Sequence, residues 1–200
     1  VWTAGNVSQR VRGAAEDGSQ DLLVIKPSGV SYDDLSPEAM VACDLDGNLV
    51  LGEGSPSSDT AAHAYVYRHM SEVGGVVHTH STYATAWAAR GEEIPCVLTM
   101  MGDEFGGPVP VGPFALIGDD SIGRGIVDTL RESRSPAVLM RNHGPFTIGR
   151  DARAAVKAAV MVEEVAKTVH VARLGGPLVP IEQHYIDSLY DRYQNVYGQH

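Results

Sequence analysis

The stretch GGVVHTHS (74–81) closes a β-branched run with two histidines, His78 and His80, separated by one threonine. Side chains alternate faces along a strand, so both imidazoles project to one side, roughly 7 Å apart. Such a pair either converges on a cation or sets two polar groups at the rim of a sheet. A third histidine, His143, follows a predicted strand in AVLMRNHGPF, where Gly144 and Pro145 mark a turn. Three neutral imidazoles with one open position make a catalytic zinc arrangement that leaves room for water or substrate oxygens. Asp59, at the start of the helix predicted before the His-x-His strand, can reach the same ion. The other histidines carry weaker signals. His63, His69 and His170 fall within helical patterns and read as partly buried or surface residues, and His200 is terminal.

A second group of residues suits an anion. Small polar residues gather at turns in AGN (Gly5, Asn6), KPSG (Lys26, Ser28, Gly29) and PSSDT (Ser57, Ser58). Exposed backbone N–H groups and serine hydroxyls at a helix start bind anions readily, and glycine lets the backbone approach closely. Taken singly, SSD is also an ordinary helix cap and PSG an ordinary turn. Asp103, in TMMGDEFGG, follows a strand-like run and is expected in a glycine-rich loop. Tyr197, in NVYGQ, has no core-like neighbours. Asp119, Asp120, Glu163 and Glu164 read as helix-start or solvated charges.

These groups need a scaffold, and 200 residues with 44% hydrophobic content suffice for one domain spanning 1–200. The formal net charge of −10 argues against nucleic acid or an anionic membrane as partner, but not against a small anionic substrate. Cys43 and Cys96 form no CxxC pair and suggest reduced thiols in a cytoplasmic protein. Neither a signal peptide nor a membrane span is visible, and no GxGxxG or P-loop occurs. LLVIK (22–26), MVACD (40–44) and GNLVLGEG (47–54) read as strands, the last two joined around Asp46 and Gly47. Helices are predicted in SSDTAAHAYVYRHMSEVGG (57–75), ended by its two glycines, and in TYATAWAARG (82–91) and DDSIGRGIVDTLRESRS (119–135). SPAVLMRNHG (135–144) and PFTIG (145–149) read as a strand and its return. The stretch 151–176 is the clearest helix, capped by Asp151 and stopped by Gly175 and Gly176, and 181–198 is predicted helical. Strands and helices mix without strict alternation, which points to a layered α/β domain with a mixed or largely antiparallel sheet.

In order along the chain, GNVS, IKPSGVSYDDL, PSSDT, GGVVHTHS, NHGPFTIG and YGQ resemble the L-ribulose-5-phosphate 4-epimerases of the class II aldolase/adducin superfamily. The resemblance runs from Gly5 to Gln199. It implies a three-layer α/β/α sandwich with a central, mostly antiparallel sheet, assembled as a C4 homotetramer. It makes His78, His80 and His143 zinc ligands with Asp59 at or beside the ion; Mn2+ or Co2+ suits the same ligand types. Gly5, Asn6, Lys26, Ser28, Gly29, Ser57 and Ser58 become a sugar-phosphate pocket. Asp103 and Tyr197 become the proton-transfer pair, the tyrosine reaching in from a neighbouring subunit. The implied chemistry is retro-aldol cleavage of the C3–C4 bond, rotation of the bound aldehyde and re-addition to its other face, with the metal as Lewis acid.

The sequence departs from that pattern in three places. Met101 and Glu104 stand where the family carries a histidine and an aromatic, the segment 112–118 differs, and the helix expected before AGN is absent from this sequence. The nearest rival is an L-fuculose-1-phosphate-type aldolase, which carries a glutamate where this chain has Asp59. An adducin-like binding module would keep the fold without the metal, and the retained histidines argue against it.

Overall fold

The computed structural model describes residues 2–14 and 20–197, with the backbone alone at Tyr197. Its centre is the strand β5 (Gly75–His78), whose four residues are all buried. On one side β5 pairs antiparallel with β1 (Asn6–Val11), which continues through β2 (Leu22–Ile25) and β3 (Val41–Asp44) to β4 (Leu49–Leu51) at the edge. On the other side β5 pairs antiparallel with β8 (Gly144–Gly149), then β7 (Ala137–Met140) and the two-residue β6 (Val111–Gly112), which alone runs parallel to its neighbour. The result is an eight-stranded mixed sheet.

Among the described residues six helices accompany the sheet: α1 (Thr60–His69), α2 (Thr82–Arg90), α3 (Thr99–Phe105), α4 (Ser121–Arg131), α5 (Ala152–Leu174) and α6 (Gln183–Arg192). Strand alternation decides which helices each face meets. Val138 and Met140 share a core with Val66 of α1 and Ile126 of α4, whereas Ala137 and Leu139 pack with Ala88 of α2 and Val162 of α5. The fold is thus α/β with helices against both faces. Among the described residues, no helix is long and apolar enough to cross a membrane.

Several expectations need correction. The NVSQRV segment lacks a strand pattern in the sequence, because β1 turns polar Asn6 and Ser8 into the interior and places Val7 against Val77, Ala155 and Ala159. The TMMGDEF segment is helix α3 rather than strand and loop: Met101 and Phe105, one turn apart, are fully buried, and Gly106 at φ +63° ends the helix. Gly144 and Pro145 are the first residues of β8, and the turn before them is made by Asn142 in the left-handed region at φ +59°. Glu163 is no solvated charge; its carboxylate accepts from the amides of Tyr83 and Ala84 at 2.9 Å each and caps α2.

The two glycines after α1 do not stop it, since the helix ends at His69. They let the start of α5 approach β5 at backbone distance. A Cβ on Gly75 would lie 2.2 Å from the Asp151 carbonyl oxygen and 2.4 Å from the Ala152 nitrogen, atoms no rotamer change can move. Gly75→Ala is therefore expected to cost about 3 kcal/mol of stability, measured by urea unfolding; an unchanged midpoint would show that α5 shifts freely on the sheet.

Candidate metal centre

His78 ends β5, with its side chain almost wholly buried. Register places Asn6 of β1 on one side of it and Phe146 of β8 on the other, and the Phe146 ring stacks on the imidazole at 4.1 Å. His78 Nδ1 lies 3.0 Å from the Pro145 carbonyl oxygen. A carbonyl only accepts, so Nδ1 carries the proton and Nε2 keeps a bare lone pair. That Nε2 is buried and has no hydrogen-bond partner among the described residues.

His80 lies two residues beyond the end of β5, not within it as the sequence suggests. The chain just before it is tied to β8, because the Thr79 amide also donates to the Pro145 carbonyl, at 3.2 Å. The turn at Asn142 brings His143 back toward both rings. Ring centroids are 4.7 Å apart for His78–His80, 4.5 Å for His78–His143 and 5.6 Å for His80–His143. One ligand nitrogen from each lies within 4.8 Å of the others. Three convergent imidazoles, one with an orphaned buried lone pair, fit a divalent cation.

Asp59 lines the same cleft without joining the three-histidine cluster. Its Oδ2 accepts from Asn6 Nδ2 at 2.7 Å, while buried Oδ1 has no hydrogen-bond partner among the described residues. The cleft measures about 130 Å3, and its walls include Gly5, Asn6, Lys26, Ser28, Gly29, Ser57 and Ser58. All seven residues assigned to a substrate pocket from the sequence therefore meet the histidines in space. Gly5, at φ +80°, is required there, because a Cβ would stand 2.7 Å from the His78 carbonyl oxygen. Lys26 is only 2% exposed; its ammonium donates to the carbonyls of Thr3 and Pro27, and burial pushes its pKa down.

Two expected residues lie elsewhere. Asp103 is half-buried on α3, against α6, and is not among the residues lining the cleft of its own chain. Burial raises its pKa, and the charge of Arg192 partly offsets this. Tyr197 ends a π-helical turn (Tyr193–Tyr197) that contacts α3, and its side chain lies outside the described residues. Conversely, the sequence reading overlooks Ile117, a wall of the cleft, and misjudges His63. His63 is fully buried behind the three-histidine cluster, with Nδ1 2.7 Å from Ser8 Oγ, which is itself 2.7 Å from the Tyr67 hydroxyl. Its position four residues after Asp59, on the inward face of α1, is the available signal.

The chain belongs to the class II aldolase and adducin family: residues 1–170 match the family described as Class II Aldolase and Adducin N-terminal domain. An L-ribulose-5-phosphate 4-epimerase UlaF from Salmonella paratyphi C is 41% identical over 206 aligned residues, covering 96% of this chain and 86% of the relative. Among solved structures, an L-fuculose 1-phosphate aldolase superposes with TM-score 0.86 at 26% identity, covering 96% of this chain and 86% of its own. The L-fuculose-1-phosphate aldolase of Thermus thermophilus gives TM-score 0.71 at 28% identity, covering 88% of each chain.

Two expectations follow. His80→Ala should abolish stoichiometric zinc binding, read by metal analysis after dialysis, while leaving the fold intact. The second concerns pH. Burial pushes both His63 and His78 down to about 3, whereas an unfolded histidine titrates near 6.5. Between those values the unfolded chain takes up protons that the folded chain refuses, so stability of the metal-free protein falls as pH drops below 6.5. By pH 5 the loss is about 2 kcal/mol for each histidine. Urea unfolding with chelator at pH 7.5 and 5.0 measures it, and His63→Gln should remove about half the difference.

Proposed function

We propose that this protein is a metal-dependent L-ribulose-5-phosphate 4-epimerase that interconverts L-ribulose 5-phosphate and D-xylulose 5-phosphate by breaking and remaking the C3–C4 bond. The observation that carries this reading is the His78 Nε2 lone pair, oriented by Pro145 and grouped with His80 and His143 at a polar cleft. The 41% identity to an L-ribulose-5-phosphate 4-epimerase supports the choice of reaction. His78, His80 and His143 would hold zinc, with Asp59 beside it; when bound, the ion supplies Lewis-acid polarisation of substrate oxygens.

The chain's own groups account for the remaining requirements. Ser28, Gly29, Ser57 and Ser58 offer hydroxyls and amides to the phosphate, and Lys26 keeps a third ammonium donor beyond the two spent on backbone carbonyls. Holding the phosphate retains the cleaved aldehyde fragment while it turns. Inversion then needs a proton donor and an acceptor on opposite faces of that aldehyde, roles we assign to Asp103 and Tyr197. Since Asp103 does not line its own cleft, both groups serve a neighbouring subunit's cleft in a C4 homotetramer. The raised pKa of Asp103 suits proton exchange. We read the helix layers as a three-layer α/β/α sandwich around a mostly antiparallel sheet, forming one catalytic domain. Buried, unbridged Cys43 and Cys96 accord with a cytoplasmic setting.

An L-fuculose-1-phosphate-type aldolase is the second reading, favoured by the superposition at TM-score 0.86. The shorter acid at Asp59, where such aldolases carry a glutamate base, argues for the epimerase. Zinc-loaded protein incubated with L-ribulose 5-phosphate should yield D-xylulose 5-phosphate by NMR, and chelation should stop it. Unchanged substrate, with cleavage of L-fuculose 1-phosphate instead, would establish the aldolase. Tyr197→Phe should keep zinc and lose epimerisation by about 100-fold or more; normal turnover would remove the tyrosine from the scheme.

A further inference from the structure

Helix α6 is seated on α3 by side-chain packing: Ile186 is buried, Leu189 lies against Gly102 and Tyr190 against Gly106. The turn after it is different, with Val196 exposed. What fixes that turn is polar. Lys157, on the helix that packs against β5 and β8, donates to Glu104 Oε2 at 3.0 Å and to the Tyr193 hydroxyl at 2.7 Å, and its ammonium also lies 5.1 Å from the Tyr193 ring centroid. The Glu104 side chain is only 11% exposed. One ammonium thus joins three elements: α5, α3 one residue past Asp103, and the turn four residues before Tyr197. The contact forms at the position where Glu104 departs from the aromatic of the family pattern.

We propose that Lys157 and Glu104 are positioning residues that seat the Tyr193–Tyr197 turn against α3, and so set where Tyr197 delivers its proton. The role of Tyr197 rests on the epimerase reading; the clamp itself does not. Tyr193 and Tyr197 lie one turn apart, so a turn released at Tyr193 carries Tyr197 with it. Removing Lys157 also leaves the largely buried Glu104 carboxylate without its cation.

The test uses Lys157→Met and Glu104→Gln in the full-length, zinc-loaded protein. Both should keep zinc content and KM within about twofold and lower kcat by roughly 100-fold, the scale of a misplaced catalytic group. Chymotryptic cleavage within the last eight residues, followed by mass spectrometry, should accelerate at least tenfold in both variants. Lys157→Arg, which retains a cation with several donors, should restore protection and most of kcat. Glu104→Gln keeps the proposal testable if Lys157→Met fails to fold. A protected tail in Glu104→Gln would overturn the clamp, and a released tail with unchanged kcat would overturn its role in placing Tyr197. Should the wild-type protein show no epimerase activity, the proteolysis comparison still decides the clamp separately from the proposed reaction.

Discussion

The carbonyl of Pro145 organises the candidate metal centre. Its two lone pairs receive two donors: His78 Nδ1, which fixes the tautomer of a buried imidazole, and the Thr79 amide, which ties down the chain just before His80. A buried imidazole without that acceptor would lose the bias that keeps Nε2 free. The carbonyl stands where it does because β8 pairs with β5 in the register His78↔Phe146. Glycines at 74 and 75 allow α5 to cross β5 at backbone distance. The geometry of the histidine cluster is therefore set by the buried, paired strands β5 and β8, and the loops contribute through the turn at Asn142.

Around this frame the protein buries polar groups that an ordinary core would exclude. Asn6, Ser8, Lys26, Asp59, His63 and His78 are all buried. Most are paired: Asn6 with Asp59, Ser8 with His63 and Tyr67, Lys26 with two carbonyls. Among the described residues, unpaired buried atoms lie at the cleft, on Asn6, Asp59 and His78, just behind it on His63, and on Thr85 of α2. Such atoms carry a desolvation cost, offset elsewhere by dense packing such as that of Val138, Met140 and Phe146 against α1 and α4. At the cleft, the cost falls where the proposed cation and polyhydroxylated substrate would supply the missing partners.

Sequence pattern reveals the site better than the scaffold. The three histidines, the Ser–Ser–Asp helix start and the Lys–Pro–Ser–Gly turn stand out by residue type, and although each alone also suits an ordinary cap, turn or sheet rim, the structure brings all three to one cleft. Strand β1 stays hidden because its inward face is polar, which inverts the usual hydrophobic alternation. Helix α3 stays hidden because seven residues give one i, i+4 pair, Met101 and Phe105, too few to reveal a period. The turn at Asn142 is masked by the Gly–Pro pair beside it, a stronger local signal that instead opens a strand. Glu163 and His63 are misjudged for one reason: their partners, the α2 amides and Ser8, lie 79 or more and 55 residues away.

The deep seat of Lys26 has a kinetic consequence. A chain of net charge −10 repels the proposed phosphorylated sugar at long range, and a cation 2% exposed projects little field into solvent to counter that repulsion. Capture then depends on random encounter followed by short-range recognition inside the cleft. Added salt, which slows electrostatically steered enzymes, should here quicken substrate association by screening the repulsive surface while leaving the enclosed contact nearly untouched.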